Sequence, residues 1–474
     1  MPSRDRVPRR ETVAPMAVIL AAGNGSRLRS DRSAVPKPLV HLRGLSIAER
    51  SIAQLLAAGV ERFVVVLGCD AALVQHEFER VARRRRCHIT FVEAENWERG
   101  NGCSAVAAAP LVGDSPFLLA MVDHLLPPEM IRAVLANPPA QDEIVLAVDH
   151  DTENVFDLPD LTKVEVSGGC IAAIGKDLAS WNAGDTGLFY CSSRLFEGLA
   201  RAHEQGKFSL TDGIRECVAQ GGVRAIDVTR ARWLDVDTPE ASQEAVRRID
   251  AAMGKGGGDG FISQYINRPL SRRLSVALSR TSLTPNHITL LSFFMGLLGA
   301  VGLATTDPWF WVAGGILIQI ASIVDGCDGE IARIKLLQSP QGAWLDTVLD
   351  RYSDLAVGLA VTFAASQLHD AAWVWPVGFA ATSSFLMASY VTKEFQIRFK
   401  RPYPNNLVNK LKRRDLRILA IAIGAALGHP LVALLAIGSL THLAVFQILV
   451  SGWRTTLVLH PFHAPIALKS SLRS

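Results

Sequence analysis

The sequence predicts a Rossmann-like α/β domain followed by an all-α domain of six transmembrane helices. Three observations carry this. Short apolar runs alternate with helical patterns over residues 16–250, a glycine stretch interrupts the chain near residue 255, and long apolar segments recur beyond it.

The elements follow in order. "MPSRDRVPRRETVAP" (1–15) has no apolar h-region, so it reads as a disordered tail and not a signal peptide. "MAVILAA", "RFVVVLG", "PFLLAMVD" and "EIVLAVD" are short runs rich in β-branched residues, and patterns such as "SIAERSIAQLLAAG" lie between them. Buried strands alternating with helices imply a mostly parallel sheet over residues 16–250. Residues 251–260, with "GKGGGDG", read as a flexible linker. The expected spans within residues 261–455 are Ile288–Thr305, Trp309–Val324, Thr347–Ser366, Ala371–Val391, Leu416–Leu427 and Pro430–Ser451. The fifth is short for a bilayer of about 30 Å, and a buried soluble helix is the other reading there. Residues 456–474 remain as a tail.

Charge sets the expected topology. Arg268, Arg272, Arg273 and Arg280 precede the first span, Arg333 and Lys335 follow the second, and a basic loop from Lys393 to Arg414 follows the fourth. The other three connections carry no Lys or Arg, so the N-terminal domain and both tails are expected in the cytoplasm of a multi-pass cell-membrane protein. "FISQYINRPLSRRLSVALSRT" reads as a basic amphipathic helix on the inner membrane face. Overall, 49 Lys plus Arg against 45 Asp plus Glu leave a net charge of +4, too mild for a nucleic-acid partner. Mean hydropathy of +0.22 suits a mixed soluble and membrane chain. Seven cysteines form no CxxC pair or zinc spacing, which implies free thiols in a reducing compartment.

The chemistry concentrates in "VDGCDGEIARIKLLQSPQGAWLDTVLDRYSD" (324–354). Asp325 and Asp328 are i, i+3, and Asp346 and Asp350 are i, i+4, so each pair shares a helix face. Four converging carboxylates at the membrane boundary repel one another unless hard cations such as Mg²⁺, Mn²⁺ or Ca²⁺ neutralise them. Gly329, Ala332 and Gly342 leave room for a ligand, and Arg333 can pair with a phosphate. The bland alternative is a solvated loop whose acids flank two spans. The positions D-x2-D-G-x2-A-R-x8-G-x3-D-x3-D resemble the signature of the CDP-alcohol phosphotransferase family, and "LTPNHIT" with Asn286 resembles a further stretch of it. The resemblance spans residues 261–455. It implies transfer of a substituted phosphate from a CDP-linked donor to an alcohol, with release of CMP. It also implies that Asp325, Asp328 and Asp346 hold two metals and the nucleotide, and that Asp350 is general base and further ligand. The motif does not specify Asp354, which reads as a solvated or outer acid.

In the first half, "LAAGNGSRLRSDRSAVPKPLV" places Leu20, Ala21, Ala22, Gly23 and Gly25 after the first strand, with Arg27 and Lys37 nearby. It lacks the third glycine of a dinucleotide fingerprint and the GK[ST] of a P-loop. Backbone amides there can cradle a nucleotide while Arg27 and Lys37 neutralise a triphosphate. The combination resembles the nucleotidyltransferases that activate sugar phosphates. That resemblance implies a metal on Asp123 and on either Asp235 or Asp237 of "WLDVDTPE". A lone strand-end aspartate is more often a cap, but three such features stand here in the family's order. "ERGNG" with Gly102, "VDH", "TKVEV" with Lys163, "IGKDL" with Lys176 and "DTGLF" look like inositol-1-phosphate cytidylyltransferases. In that resemblance Lys163 and Lys176 hold the phosphate of the acceptor; plain surface lysines are the other reading. His124 reads equally as a structural cap.

The order of the halves resembles the bifunctional enzymes that join such a cytidylyltransferase to a di-myo-inositol phosphate phosphate synthase. The resemblance implies CTP, inositol 1-phosphate and CDP-inositol as substrates, Mg²⁺ or Mn²⁺ as cofactor, the lipid bilayer as environment and a homodimer through the membrane domain. Lys393, Arg398, Lys412, Arg413, Arg414 and Arg417 are the expected acceptor-phosphate cluster; positive-inside anchoring is the alternative. Two other outcomes remain open: the same chemistries ending in a membrane lipid, or a membrane-anchored scaffold with a degenerate nucleotide site.

Overall fold

A computed structural model of the chain describes residues 15–28, 35–254, 261–404, 406, 410 and 412–459. Nearly all of the expected N-terminal tail, linker residues 255–260, residues 29–34 of the glycine-rich loop and residues 460–474 lie outside the described residues. The chain divides into two compact units, Met1–Ala251 and Ala252–Ser474.

The strands of the first unit are β1 (Met16–Leu20), β2 (His41–Leu42), β3 (Leu45–Ser46), β4 (Arg62–Leu67), β5 (His88–Glu93), β6 (Phe117–Met121), β7 (His124–Leu125), β8 (Ile144–Asp149), β9 (Lys163–Ser167), β10 (Cys170–Gly175), β11 (Ala183–Cys191), β12 (Val223–Asp227) and β13 (Leu234–Asp235). Nine of them form one sheet in the order β5-β4-β1-β6-β11-β8-β12-β10-β9. Its helices are α1 (Ile47–Ala58), α2 (Ala71–Arg85), α3 (Asn101–Ala107), α4 (Ala109–Val112), α5 (Pro128–Leu135), α6 (Arg194–Glu204), α7 (Leu210–Val218) and α8 (Pro239–Ala252).

Strand β1 shows why "MAVIL" is apolar throughout. Ala17 and Ile19 belong to one buried cluster, and Met16, Val18 and Leu20 to another, so helices cover both faces of the sheet. The expectation of a mostly parallel sheet holds for β5-β4-β1-β6 and for β8–β12 only. Strand β11 runs antiparallel to β6 and β8, and β9–β10 is a hairpin. Its turn is Gly168-Gly169, with φ of +57° and +81°, the conformation a two-residue hairpin requires. Helix α1 is bounded as its sequence directs: the Ser46 side chain accepts from the Glu49 amide, and Gly59 ends it at φ +99°.

The second unit contains α9 (Arg268–Leu278), α10 (Pro285–Leu303), α11 (Pro308–Ile334), α12 (Pro340–Leu368), α13 (Val374–Phe399), α14 (Arg414–Ala426) and α15 (Pro430–Leu459). Helices appear at all six expected spans, but among the described residues only α10, α11, α13 and α15 are long and apolar enough to cross a membrane. Helix α12 is long enough, yet it carries Asp346, Asp350, Arg351 and Asp354. Helix α14 has 13 residues, whereas about 20 are needed to cross about 30 Å of hydrocarbon. The second expected span ended at Val324, but α11 continues to Ile334, so Asp325 and Asp328 lie within it. The tail expected from residue 456 is likewise helical as far as Leu459. "LTPNHIT" forms the start of α10, where the Thr284 side chain accepts from the His287 amide and Pro285 takes the first turn.

Helix α9 turns Arg268, Ser271 and Ser275 inward and leaves Arg272 and Arg273 exposed. Arg268, Ser271 and Ser275 converge on Glu330 of α11, each at 2.8 Å, while Leu270 and Leu274 are exposed. Glu330 is fully buried, and these three donors satisfy its carboxylate.

Candidate active sites

The first unit holds a cavity of about 1350 Å³ whose walls include Leu20, Ala22, Gly23, Asp123, His124, Asp235, Asp237 and Lys176. Two local features build its floor. Strand β6 delivers Asp123 at its end, and β7 pairs with β13 so that His124 stands opposite Asp235. The Val236 amide donates to the Asp123 carbonyl at 3.1 Å, which locks the two acidic segments together. Pro36 and Pro38 flank Lys37 in a short 3-10 turn, and Lys37 is almost fully buried.

The Lys37 ammonium donates to both Asp123 and Asp237. Arg27 pairs with Asp160 at 2.8 Å and Asp237 at 3.2 Å, and Lys176 pairs with the other oxygen of Asp160. Burial alone would raise the pKa of the Asp123 carboxyl, but Lys37 and His124 beside it bring it well below the usual carboxylate range. Asp235 shifts the other way, upward, because burial dominates there. The two acids share one site. Asp123 is the firmly ionised member, since Lys37 touches it directly. Burial would lower the pKa of His124, yet Asp235 and Asp123 raise it to about 9. His124 also stacks parallel to the Trp233 ring at 6.1 Å.

Ligand atoms of Asp123, His124 and Asp235 lie within 4.8 Å of one another, as do those of Asp160, Asp235 and Asp237. Asp235 Oδ1 is buried with no hydrogen-bond partner among the described residues, whereas Asp237 is engaged by Lys37 and Arg27. Asp235 Oδ1, 3.9 Å from His124 Nδ1, is a buried carboxylate oxygen that accepts no hydrogen bond among the described residues, and beside Asp123 it fits a hard cation.

Other expected residues fall elsewhere. Ala21 and Gly25 are not among the cavity walls. Ala21 is buried and its amide bonds to the Val66 carbonyl. Gly25 has φ +58°, and a Cβ there would stand 2.7 Å from Lys37 Cβ. Gly25→Ala is therefore expected to displace Lys37 and to cost about 1–2 kcal/mol of stability, which thermal melting of the protein would report. Gly102 packs against the backbone of Phe208 and Ser209. Lys163 lies over the Trp181 ring at 5.7 Å and is not among the cavity walls.

In the second unit, ligand atoms of Asp325, Asp346 and Asp350 lie within 4.8 Å of one another. Helices α11 and α12 each present the acids on one face, as the spacing requires. Asp328 stands outside that group; its oxygens accept from the Thr289 hydroxyl at 2.7 Å and from the Gly329 amide. Ser292 donates to Asp325 at 3.1 Å. Thr289 and Ser292 had escaped sequence reasoning, although "HITLLS" repeats a hydroxyl at i, i+3 facing the acidic helix. Gly342 faces the Asn286 side-chain oxygen and Gly329 faces the Arg333 guanidinium, so both motif glycines open space beside a polar group.

The basic cluster separates. Lys393 and Arg398 are exposed, and Arg398 pairs with Glu394 at 2.8 Å. Lys412 is buried and donates to the Thr392 hydroxyl. Arg413 immediately precedes α14 as its N-cap residue. Arg414 and Arg417 of this set reach the acidic residues. Arg414 contacts Asp325 at 3.1 Å, Asp350 at 2.8 Å and Asp354 at 3.3 Å; Arg417 contacts Asp354 at 3.1 Å. Asp354, expected as a solvated or outer acid, is not solvated: it is buried among Arg351, Arg414 and Arg417.

Residues 17–221 match the MobA-like NTP transferase domain family, and residues 282–454 match the CDP-alcohol phosphatidyltransferase family. The chain is 38% identical to the bifunctional IPC transferase and DIPP synthase of Rubrobacter xylanophilus, over 90% of this chain and 93% of that protein. It is 33% identical to the protein of the same name from Aquifex aeolicus, over 92% of this chain and 98% of that one. Among solved structures, the inositol-1-phosphate CTP transferase from T. maritima is 27% identical and covers 50% of this chain and 96% of its own, with a TM-score of 0.45.

Proposed function

Since the chain belongs to the family of bifunctional IPC transferases and DIPP synthases, we propose that its two units catalyse consecutive reactions on inositol 1-phosphate. In the first, a phosphate oxygen of inositol 1-phosphate attacks the α-phosphorus of CTP. The bond to pyrophosphate breaks and CDP-inositol forms. In the second, a hydroxyl of another inositol 1-phosphate attacks the inositol-bearing phosphorus of CDP-inositol. The bond to CMP breaks and di-myo-inositol phosphate phosphate forms. The observation that carries this reading is that one chain pairs the Lys37–Asp123 site with the Asp325–Asp346–Asp350 group.

In the first unit, Leu20, Ala22 and Gly23 border the nucleotide, while Lys37 and Arg27 oppose the negative charge that develops on the phosphates. Asp123 and Asp235 would hold a divalent cation, with Asp237 orienting Lys37. Lys176 serves the phosphate of inositol 1-phosphate. In the second unit, Asp325, Asp346 and Asp350 would hold the metals, with Asp328 kept in register by Thr289. Mg²⁺ or Mn²⁺, when bound, neutralises the diphosphate and polarises the reacting phosphorus. Asp350 accepts the proton of the attacking hydroxyl. Gly329, Gly342, Asn286 and Arg333 border CDP, and Arg414 faces the acceptor phosphate. A cytoplasmic first unit and C-terminus, with α9 on the inner membrane face, is the topology that the basic connections support.

The choice of metal ligand is testable in the first unit. Asp235→Asn is expected to raise the Mg²⁺ concentration needed for half-maximal CDP-inositol formation by roughly tenfold or more. Asp237→Asn is expected to lower the rate with little change in Mg²⁺ demand. Radiolabelled CTP turnover against Mg²⁺ concentration measures both, and the reverse pattern would move the ligand to Asp237.

A further inference from the structure

Asp354 lies one helical turn beyond Asp350 and outside the D-x2-D-G-x2-A-R-x8-G-x3-D-x3-D pattern. Its side chain is 2% exposed, more enclosed than those of Asp325 and Asp350, at 21% and 18%. Three guanidinium groups surround it: Arg351 Nη1 at 3.3 Å, Arg414 Nε at 3.3 Å and Arg417 Nη2 at 3.1 Å. Their connections differ. Arg417 is itself buried, and its guanidinium lies 4.4 Å from the centre of the Phe385 ring on α13, so it pins Asp354 to the helix bundle. Arg351 and Arg414 each reach onward to Asp350, Arg351 through Nη2 at 3.4 Å and Arg414 through Nη1 at 2.8 Å. Arg351 also donates to the Ser389 hydroxyl on α13. Asp350 is therefore approached from two sides by guanidinium groups, and both are held from behind by one carboxylate.

We propose that Asp354 is a positioning residue of the phosphotransfer site, fixing Arg351 and Arg414 so that both flank the general base Asp350. This rests on the reading of Asp350 as the base. The physical reason is geometric. A guanidinium is a rigid planar fork, and anchoring one edge on Asp354 fixes where the other edge points. Without the anchor, the three like charges that converge there from α12 and α14 repel one another. Arg351 and Arg414 then reorient, and the carboxylate of Asp350 loses its fixed direction. A displacement of about 1 Å in such a group costs about 100-fold in rate.

The test uses the full-length protein in detergent, with CDP-inositol and inositol 1-phosphate as substrates and CMP release as the readout. Each variant is assayed well below its own melting midpoint. Asp354→Asn is expected to lower kcat per folded protein by about 100-fold. The dissociation constant for CDP-inositol should stay within a few fold. Asp354→Glu, which keeps the carboxylate, is expected to recover part of kcat. Combining Asp354→Asn with Arg351→Gln should add little further loss, because both break one chain of contacts. Should Asp354→Asn not fold, Arg351→Lys carries the test: it keeps the charge but loses the fork, and a similar fall in kcat is expected. A folded Asp354→Asn with wild-type kcat overturns the proposal, as does an Arg351→Lys variant with wild-type kcat. Wild-type protein that releases no CMP from CDP-inositol would instead overturn the underlying assignment of function.

Discussion

Asp350→Asn is expected to slow CMP release from CDP-inositol by about 10²- to 10⁴-fold, the usual consequence of losing a positioned general base. Its affinity for CDP-inositol should stay within a few fold. An amide cannot take the proton of the attacking hydroxyl, yet it keeps the shape of the carboxyl group and one oxygen toward Asp325 and Asp346. Asp325→Asn should behave differently. It removes charge from the group that neutralises the diphosphate, so binding and turnover fall together. Parallel measurements of CMP release and CDP-inositol affinity, with Mg²⁺ saturating, separate the two outcomes. Near-normal turnover by Asp350→Asn would end its assignment as the base.

Lys37→Ala is expected to lower CDP-inositol formation by about 10²- to 10³-fold, the range for losing one preorganised group that opposes developing charge. The loss should be larger than that of Arg27→Ala. Lys37 is buried and touches both Asp123 and Asp237, whereas Arg27 is half exposed and pairs, among the described residues, with Asp160 and Asp237. The same Lys37→Ala protein should release CMP from supplied CDP-inositol at the wild-type rate. An equal loss in both reactions by a folded variant would contradict two separate sites.

Much of this molecule is legible in its sequence, and the failures have physical causes. The apolar strands, the caps Ser46 and Thr284 and the acidic spacing are local signals, so they survive folding unchanged. The antiparallel placement of β11 is not local. It depends on which strand edges meet across distant parts of the chain, and apolar composition alone does not encode that direction. The membrane spans show a second limit. A window average reads α12 as a span from Thr347, but the helix begins at Pro340 and carries its charges inward, to arginines of α14. Asp354 is the clearest example: outside a known pattern its sequence left a solvated and an outer acid equally open, and two of its three guanidinium partners come from residues 414 and 417 on another helix. Contacts across 60 residues leave no trace in spacing. Asp235 and Asp237 were likewise inseparable as sequence; in the structure Asp235 stands opposite His124 across β13 and β7, whereas Asp237 is engaged by Lys37 and Arg27.

The central claim is that one chain both makes and consumes CDP-inositol, and product analysis of the purified full-length protein tests it most directly. Protein in detergent is incubated with CTP, inositol 1-phosphate and Mg²⁺, and the products are followed by mass spectrometry over time. Pyrophosphate and CDP-inositol should appear first, followed by CMP and di-myo-inositol phosphate phosphate in equal amounts. Accumulation of CDP-inositol with no CMP, or formation of no CDP-linked product at all, would contradict the account.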